Sequence, residues 1–140
     1  MGLVPAVNAA RATTVLLVDD DGDWRAALER WLQGEGMRGI GLGRGEWITS
    51  AIETHRPDVV LLDIHLPGLD GLQVLEVLRL RWPSLPVVVM TAFGGLETAE
   101  LARRCGATGY LEKPFRMADL MTELARALDR PQQRSIGEKR

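Results

Sequence analysis

Residues 58–71 read DVVLLDIHLPGLDG, and this stretch decides the fold. Its apolar run, Val59 to Leu62, is short, β-branched at its start and unbroken by polar residues. Such a run suits a strand covered on both faces, as in the middle of a parallel sheet. Asp63 closes the run, so its carboxylate emerges at the strand's carboxyl end, where open α/β sheets place their ligands. Pro67-Gly68 and Asp70-Gly71 then turn the chain, and a helical pattern begins at Leu72.

Upstream, residues 13–21 (TTVLLVDDD) repeat the arrangement: a buried strand that delivers Asp19, Asp20 and Asp21 at its end. Asp21 or Asp23 suits the cap of a helix on which Trp24, Ala27, Leu28, Trp31 and Leu32 recur at helical spacing. Gly34 and Gly36 end that helix. Residues 37–45, MRGIGLGRG, predict a weak edge strand, and Trp47, Ile48, Ala51 and Ile52 a short helix stopped before Pro57. Downstream, Leu72, Leu75, Leu78 and Trp82 share a helical face that Val74 and Val77 broaden. Residues 87–90, VVVM, form another buried run ending in Thr91. After Gly94-Gly95 comes a helix over 96–104 whose apolar stripe is poor, expected to be a marginal element. Tyr110-Leu111 makes a short strand ending in Glu112-Lys113-Pro114, and Met117, Leu120, Met121, Leu124 and Leu128 mark a clear last helix. The alternation predicts an α/β fold: one doubly wound, five-stranded parallel sheet with helices on both faces. Residues 1–12 read as a loose arm, 13–129 as one domain, and 130–140 as a polar tail or linker.

Bulk properties narrow the function. A chain of 140 residues with 46% apolar content holds one core without disulfides or structural metal. A net charge of −2 argues against a nucleic-acid-binding surface, which carries a strong basic excess. The lone Cys105 favours a reducing, cytoplasmic setting. Neither a membrane span nor a signal peptide is legible.

Strand ends on one edge collect Asp19, Asp20, Asp63, Thr91 and Lys113. Taken alone, Asp19–Asp21 read as a helix cap with solvated charges, and Lys113 as a surface lysine. Together they do not, because clustered carboxylates repel: two charges ~4 Å apart cost about 4 kcal/mol at an effective dielectric of 20. One lysine cannot balance three acids, whereas Mg²⁺ (or Mn²⁺) suits a few hard oxygen ligands with room for water and phosphate. Asp63 is then a candidate nucleophile toward phosphorus. Thr91 and Lys113 supply the hydroxyl and ammonium that hold the other phosphoryl oxygens.

Four stretches, VLLVDDD (15–21), VVLLDIHLPGLDGLQVL (59–75), PVVVMTA (86–92) and GATGYLEKPF (106–115), together resemble the CheY-like receiver domain of two-component response regulators. The resemblance implies a flavodoxin-like sheet of order 2-1-3-4-5. It implies that Asp63 accepts a phosphoryl group from a histidine kinase, a phosphotransfer protein or a small phosphodonor. Asp20 would hold Mg²⁺ directly and Asp19 through water, with the backbone carbonyl of His65 as a further ligand. Thr91 and Lys113 would contact the acyl phosphate, and Tyr110 would turn inward as Thr91 moves, although a static packed aromatic is an equally good reading. A cis Lys113-Pro114 bond is also implied. Such a domain is no enzyme toward other substrates; it assists its own phosphorylation and slowly loses the group. Phosphorylation would alter the 96–128 face to control a partner or a homodimer, with Arg103, Arg104, Asp119 and Glu123 as its charged part.

His65 and Phe93 stand two residues after Asp63 and Thr91, where they are expected to restrict the path of the hydrolysing water. The plainer reading leaves the His65 side chain exposed. A haloacid-dehalogenase-like phosphatase also uses Asp, Thr and Lys at strand ends. It wants a second acid where His65 stands, and its metal-binding acids come late in the chain. FGGLETAE (93–100) resembles receivers joined to transcription-activating domains, so an amino-terminal receiver fragment of a transcriptional regulator stays open.

Overall fold

The structure is a computed structural model that describes the backbone of residues 11–138 and the side chains through Asp129. Residues 1–10 of the expected arm, and the side chains of the expected tail, lie outside the described residues. The elements are β1 (Thr14–Val18), α1 (Gly22–Gly34), β2 (Arg38–Leu42), a 3₁₀ turn (Gly45–Trp47), α2 (Ile48–His55), β3 (Val59–Asp63), α3 (Gly71–Arg81), β4 (Val87–Thr91), α4 (Leu96–Arg104), β5 (Gly109–Glu112) and α5 (Met117–Glu138). The five strands pair in parallel in the order β2-β1-β3-β4-β5. This is the doubly wound fold expected. The last helix runs past its expected end near Leu128.

Alternation along the central strands splits the core into two layers, because successive side chains leave opposite faces. Leu16, Val18, Val60, Leu62, Val87 and Val89 pack with Ile48, Ile52, Leu75, Leu78 and Ala102, so α2, α3 and α4 cover one face. Val15, Leu17, Val59, Leu61, Val88 and Met90 pack with Leu28, Leu32, Leu120 and Leu124, so α1 and α5 cover the other. The apolar face of α3 is narrower than its sequence suggests. Val74 packs on the core, whereas Val77 is 46% exposed and Leu80 82%.

The edge strand β2 has its own logic. A Cβ at Gly39 would stand 3.3 Å from the Glu29 Cα, and one at Gly41 would overlap the Glu29 carboxylate. The glycines thus let α1 lie directly on the strand's backbone, while Ile40 and Leu42 pack into the opposite layer.

Arg79 ties two connections together. Its guanidinium donates to the carbonyls of Trp82 at 3.2 Å, Pro83 at 2.9 Å and Leu85 at 2.8 Å in the turn into β4. It also donates to the Gly106 carbonyl at 2.7 Å in the turn into β5. The planar guanidinium has five N–H donors for these carbonyls, where an ammonium has three.

Candidate functional site

The parallel arrangement fixes where chemistry collects. Asp63 is the last residue of β3, Thr91 of β4, and Glu112 of β5, with Asp19 and Asp20 directly after β1. Carboxylate oxygens of Asp19, Asp20 and Asp63 lie within 4.8 Å of one another. Asp19 and Asp63 are buried and Asp20 is exposed.

Lys113 reaches across the sheet edge into this cluster. Its Nζ donates to Asp19 Oδ2 at 2.6 Å and to Asp63 Oδ2 at 3.2 Å. Burial alone would lower the ammonium's pKa; the hydrogen bond to Asp19 and the charges of Asp63 and Asp19 outweigh it and hold the pKa above the ordinary lysine value. At neutral pH the group is therefore a fixed cation. One cation among three carboxylates leaves a net negative pocket open on the Asp20 side. That donor set suits a hard divalent ion: few oxygens, one of them exposed, with room for water.

Local bonds aim the acids. The Asp21 amide donates to Asp19 Oδ1 at 3.0 Å, and the His65 amide to Asp63 Oδ1 at 2.9 Å. Each buried carboxylate thus has one oxygen on its own loop and the other on Lys113. The Asp21 carboxylate accepts from the Trp24 amide and caps α1, as expected of it or Asp23. The Asp70 carboxylate likewise caps α3 through the Leu72 amide. The Lys113-Pro114 bond is cis.

Thr91 is buried, and its Oγ1 accepts from the Phe93 amide of its own loop at 2.9 Å. Tyr110 is half-buried and its hydroxyl donates to Glu112 Oε2 at 3.4 Å. His65 is exposed, and its ring meets the edge of Phe93 with centroids 5.1 Å apart and planes at 82°. The two side chains expected to border the site thus lie against each other beside it. The Lys113 ammonium lies 5.6 Å from the centroid of Trp24, whose ring packs edge-on against Phe115. The indole Nε1 of Trp24 is buried, with no hydrogen-bond partner among the described residues.

Two contributors escape a reading of the sequence. Arg25 donates to the Asp19 carbonyl at 2.7 Å and so fixes the loop that carries both amino-terminal acids. Glu112 accepts from the Gly95 amide at 2.8 Å. Each acts on a backbone group outside its own element, six residues away for Arg25 and 17 for Glu112, which residue type and spacing do not signal. Only the parallel register that sets Glu112 beside Thr91 would have pointed to it.

Among the described residues no helix is long and apolar enough to cross a membrane. The family described as "Response regulator receiver domain" matches residues 15–125. The DNA-binding transcriptional regulator NtrC of Klebsiella pneumoniae is 40% identical over 117 residues, which is 84% of this chain and 25% of that protein. This chain therefore spans about a quarter of the length of that relative. The crystal structure of a CheY-like response regulator receiver domain protein from Methanospirillum hungatei JF-1 superposes with a TM-score of 0.81 at 25% identity, over 89% of this chain and 99% of that one. NtrX from Brucella abortus superposes with a TM-score of 0.82 at 35% identity, over 93% of this chain and 30% of that one.

Proposed function

The chain belongs to the response regulator receiver domain family, and from that premise we propose that it is a phosphorylation switch whose acceptor is Asp63. The observation that carries the reading is the meeting of Asp19, Asp20 and Asp63 at one point, bridged by Lys113. An Asp63 oxygen attacks the donor's phosphorus; the bond from phosphorus to the donor breaks, and the donor leaves with that electron pair. Lys113 neutralises the transferred group, and Thr91, released from the Phe93 amide, donates its hydroxyl to a phosphoryl oxygen. Asp20, Asp63 and the His65 carbonyl, with Asp19 through water, would hold Mg²⁺ (or Mn²⁺), which would supply the remaining positive charge. The donor is a histidine kinase, a phosphotransfer protein or a small acyl phosphate, and the setting is cytoplasmic.

Titration with Mg²⁺ tests the ion site, because Trp24 lies against the Lys113 that the ion would displace from its acids. Tryptophan emission changes saturably in the native chain. In Asp20→Ala the midpoint moves at least about tenfold higher, as expected for loss of a charged ligand. Equal responses would remove the metal assignment.

The paired rings of His65 and Phe93 narrow the approach of water to a phosphoryl group on Asp63. In His65→Ala and in Phe93→Ala the phosphorylated form decays about three- to tenfold faster, a barrier change near 1 kcal/mol. Unchanged lifetimes would end that role.

The output face is α4, β5 and the start of α5. Ala102 is the only buried residue of α4, while Leu96 is 90% exposed and Leu101 45%. A helix so lightly anchored can shift when the site changes, and a partner or a second copy then selects the shifted form. Light scattering with and without beryllofluoride reads the homodimer directly: mass rises with the phosphate mimic, and a constant mass would discard it. A second reading makes the chain the amino-terminal receiver of a DNA-binding regulator, favoured by its quarter-length match to NtrC.

A further inference from the structure

The loop between β4 and α4 carries the switch, and a single carboxylate from the neighbouring strand holds it. α4 begins after Gly95, which has no side chain to cap the first turn and sits at φ 133°. The free amides of a helix's first turn need acceptors. Glu112 supplies one from β5: its Oε2 accepts from the Gly95 amide at 2.8 Å. A carboxylate there also complements the positive end of the helix. The fit is close, since a Cβ on Gly94 would overlap the Glu112 carboxylate.

Three parts of the proposed switch meet at this residue. Glu112 is the register partner of Thr91 across the β4–β5 pair. It accepts from the Tyr110 hydroxyl with the same oxygen that takes the Gly95 amide. The Thr91 hydroxyl oxygen, meanwhile, is held by the amide of Phe93, two residues before Gly95. Two acceptors on adjacent strands thus grip the Phe93 and Gly95 amides of one loop. A Thr91 that turns toward Asp63 either gives up its bond to the Phe93 amide or draws that loop with it, and Glu112 resists the movement through Gly95.

We infer that Glu112 is a positioning residue that latches the Thr91 loop and the amino end of α4 in the unphosphorylated arrangement, and so sets how readily the chain switches. This rests on the receiver reading above. The latch acts against activation: the free energy of the Glu112–Gly95 bond is lost when the loop moves, which lowers affinity for a phosphoryl mimic.

Two readouts on the intact chain test it. Amide hydrogen exchange at Gly95, without Mg²⁺ or mimic, reads the latch. Binding of beryllofluoride with Mg²⁺ reads its effect on switching. Glu112→Ala removes the acceptor, Glu112→Gln keeps an acceptor oxygen without the charge, and Gly94→Ala pushes the carboxylate off its seat. Glu112→Ala is expected to speed exchange at Gly95 about fivefold and to tighten beryllofluoride binding about three- to tenfold, the scale of one hydrogen bond to a charged group at a partly wet site. Gly94→Ala gives the same direction, and combining it with Glu112→Ala adds nothing further. Glu112→Gln stays within about twofold of the native chain. Tyr110, the only tyrosine, adds a spectroscopic check. Burial first, and then the Glu112 charge, raise its phenol above the ordinary value, so its phenolate titration moves to lower pH in Glu112→Gln.

Unchanged exchange at Gly95 in Glu112→Ala overturns the inference, as does faster exchange with unchanged mimic affinity. Equal tightening in the alanine and glutamine variants also overturns it, because removal of a nearby negative charge then explains everything. A native chain that binds no beryllofluoride refutes the receiver chemistry instead, and the exchange data still judge the latch.

Discussion

Asp63→Asn abolishes phosphorylation by acetyl phosphate and Mg²⁺ while leaving the fold in place. Asparagine is nearly the same size, and its side-chain oxygen can still accept from the His65 amide that Asp63 Oδ1 takes at 2.9 Å. What it lacks is the second carboxylate oxygen, the one beside Lys113, which is to attack phosphorus. Phosphoryl incorporation, read as intact mass, falls more than about 100-fold, equivalent to at least ~2.7 kcal/mol of barrier. Incorporation at the native rate would place the acceptor elsewhere.

Lys113→Met has the second largest effect, and it appears in stability as well as in chemistry. The ammonium lies 2.6 Å from Asp19 and 3.2 Å from Asp63, side chains only 2% and 8% exposed. Removing the lysine leaves two buried carboxylates facing each other without a counter-ion. Breaking a buried pair in this way costs about 3–5 kcal/mol. The exposed Arg44–Glu46 pair, by contrast, contributes under about 1 kcal/mol. Urea unfolding without Mg²⁺ should show Lys113→Met destabilised by about 3 kcal/mol, with Arg44→Ala close to the native chain. Mg²⁺ should recover part of the loss, because a divalent ion offsets the same charges. A Lys113→Met chain as stable as the native one would mean that the acids are not held as described.

Much of this was legible in the order of residues. Three runs of β-branched and aliphatic residues, each ending in a polar group, marked β1, β3 and β4 and placed Asp19, Asp20, Asp63 and Thr91 on one edge. The strand β2 was faint because two of its five residues are glycines. The glycines face α1, whose Leu32 supplies the apolar contact there, and only Ile40 and Leu42 carry a hydrophobic signal on the strand itself. Val77 misled for the opposite reason: periodicity shows which residues could share a face, but not how much of that face a neighbour covers. Arg25, Arg79 and Glu112 were invisible as contributors because each satisfies main-chain groups outside its own element. A sequence pattern carries side-chain chemistry and leaves backbone acceptors and donors unmarked.

The low buried content of α4 is consistent with its faint stripe. Ala102 holds it to the sheet, and the Glu112 carboxylate holds its amino end. An element retained by so few contacts sits at the low end of local stability, where moving parts are found. On the proposed reading, a phosphoryl group on Asp63 would act outward through Thr91 and its loop, through Glu112 to Gly95, and on to the exposed leucines of α4.

Crystals grown with Mn²⁺ and beryllofluoride, read by the anomalous signal of the metal, test most directly whether these strand ends form one phosphoryl site. The account predicts a single Mn²⁺ ligated by Asp20, Asp63 and the His65 carbonyl, with beryllium on an Asp63 oxygen and Thr91 and Lys113 on its fluorides. A metal peak away from Asp20 and Asp63, or beryllofluoride on any other residue, would contradict it.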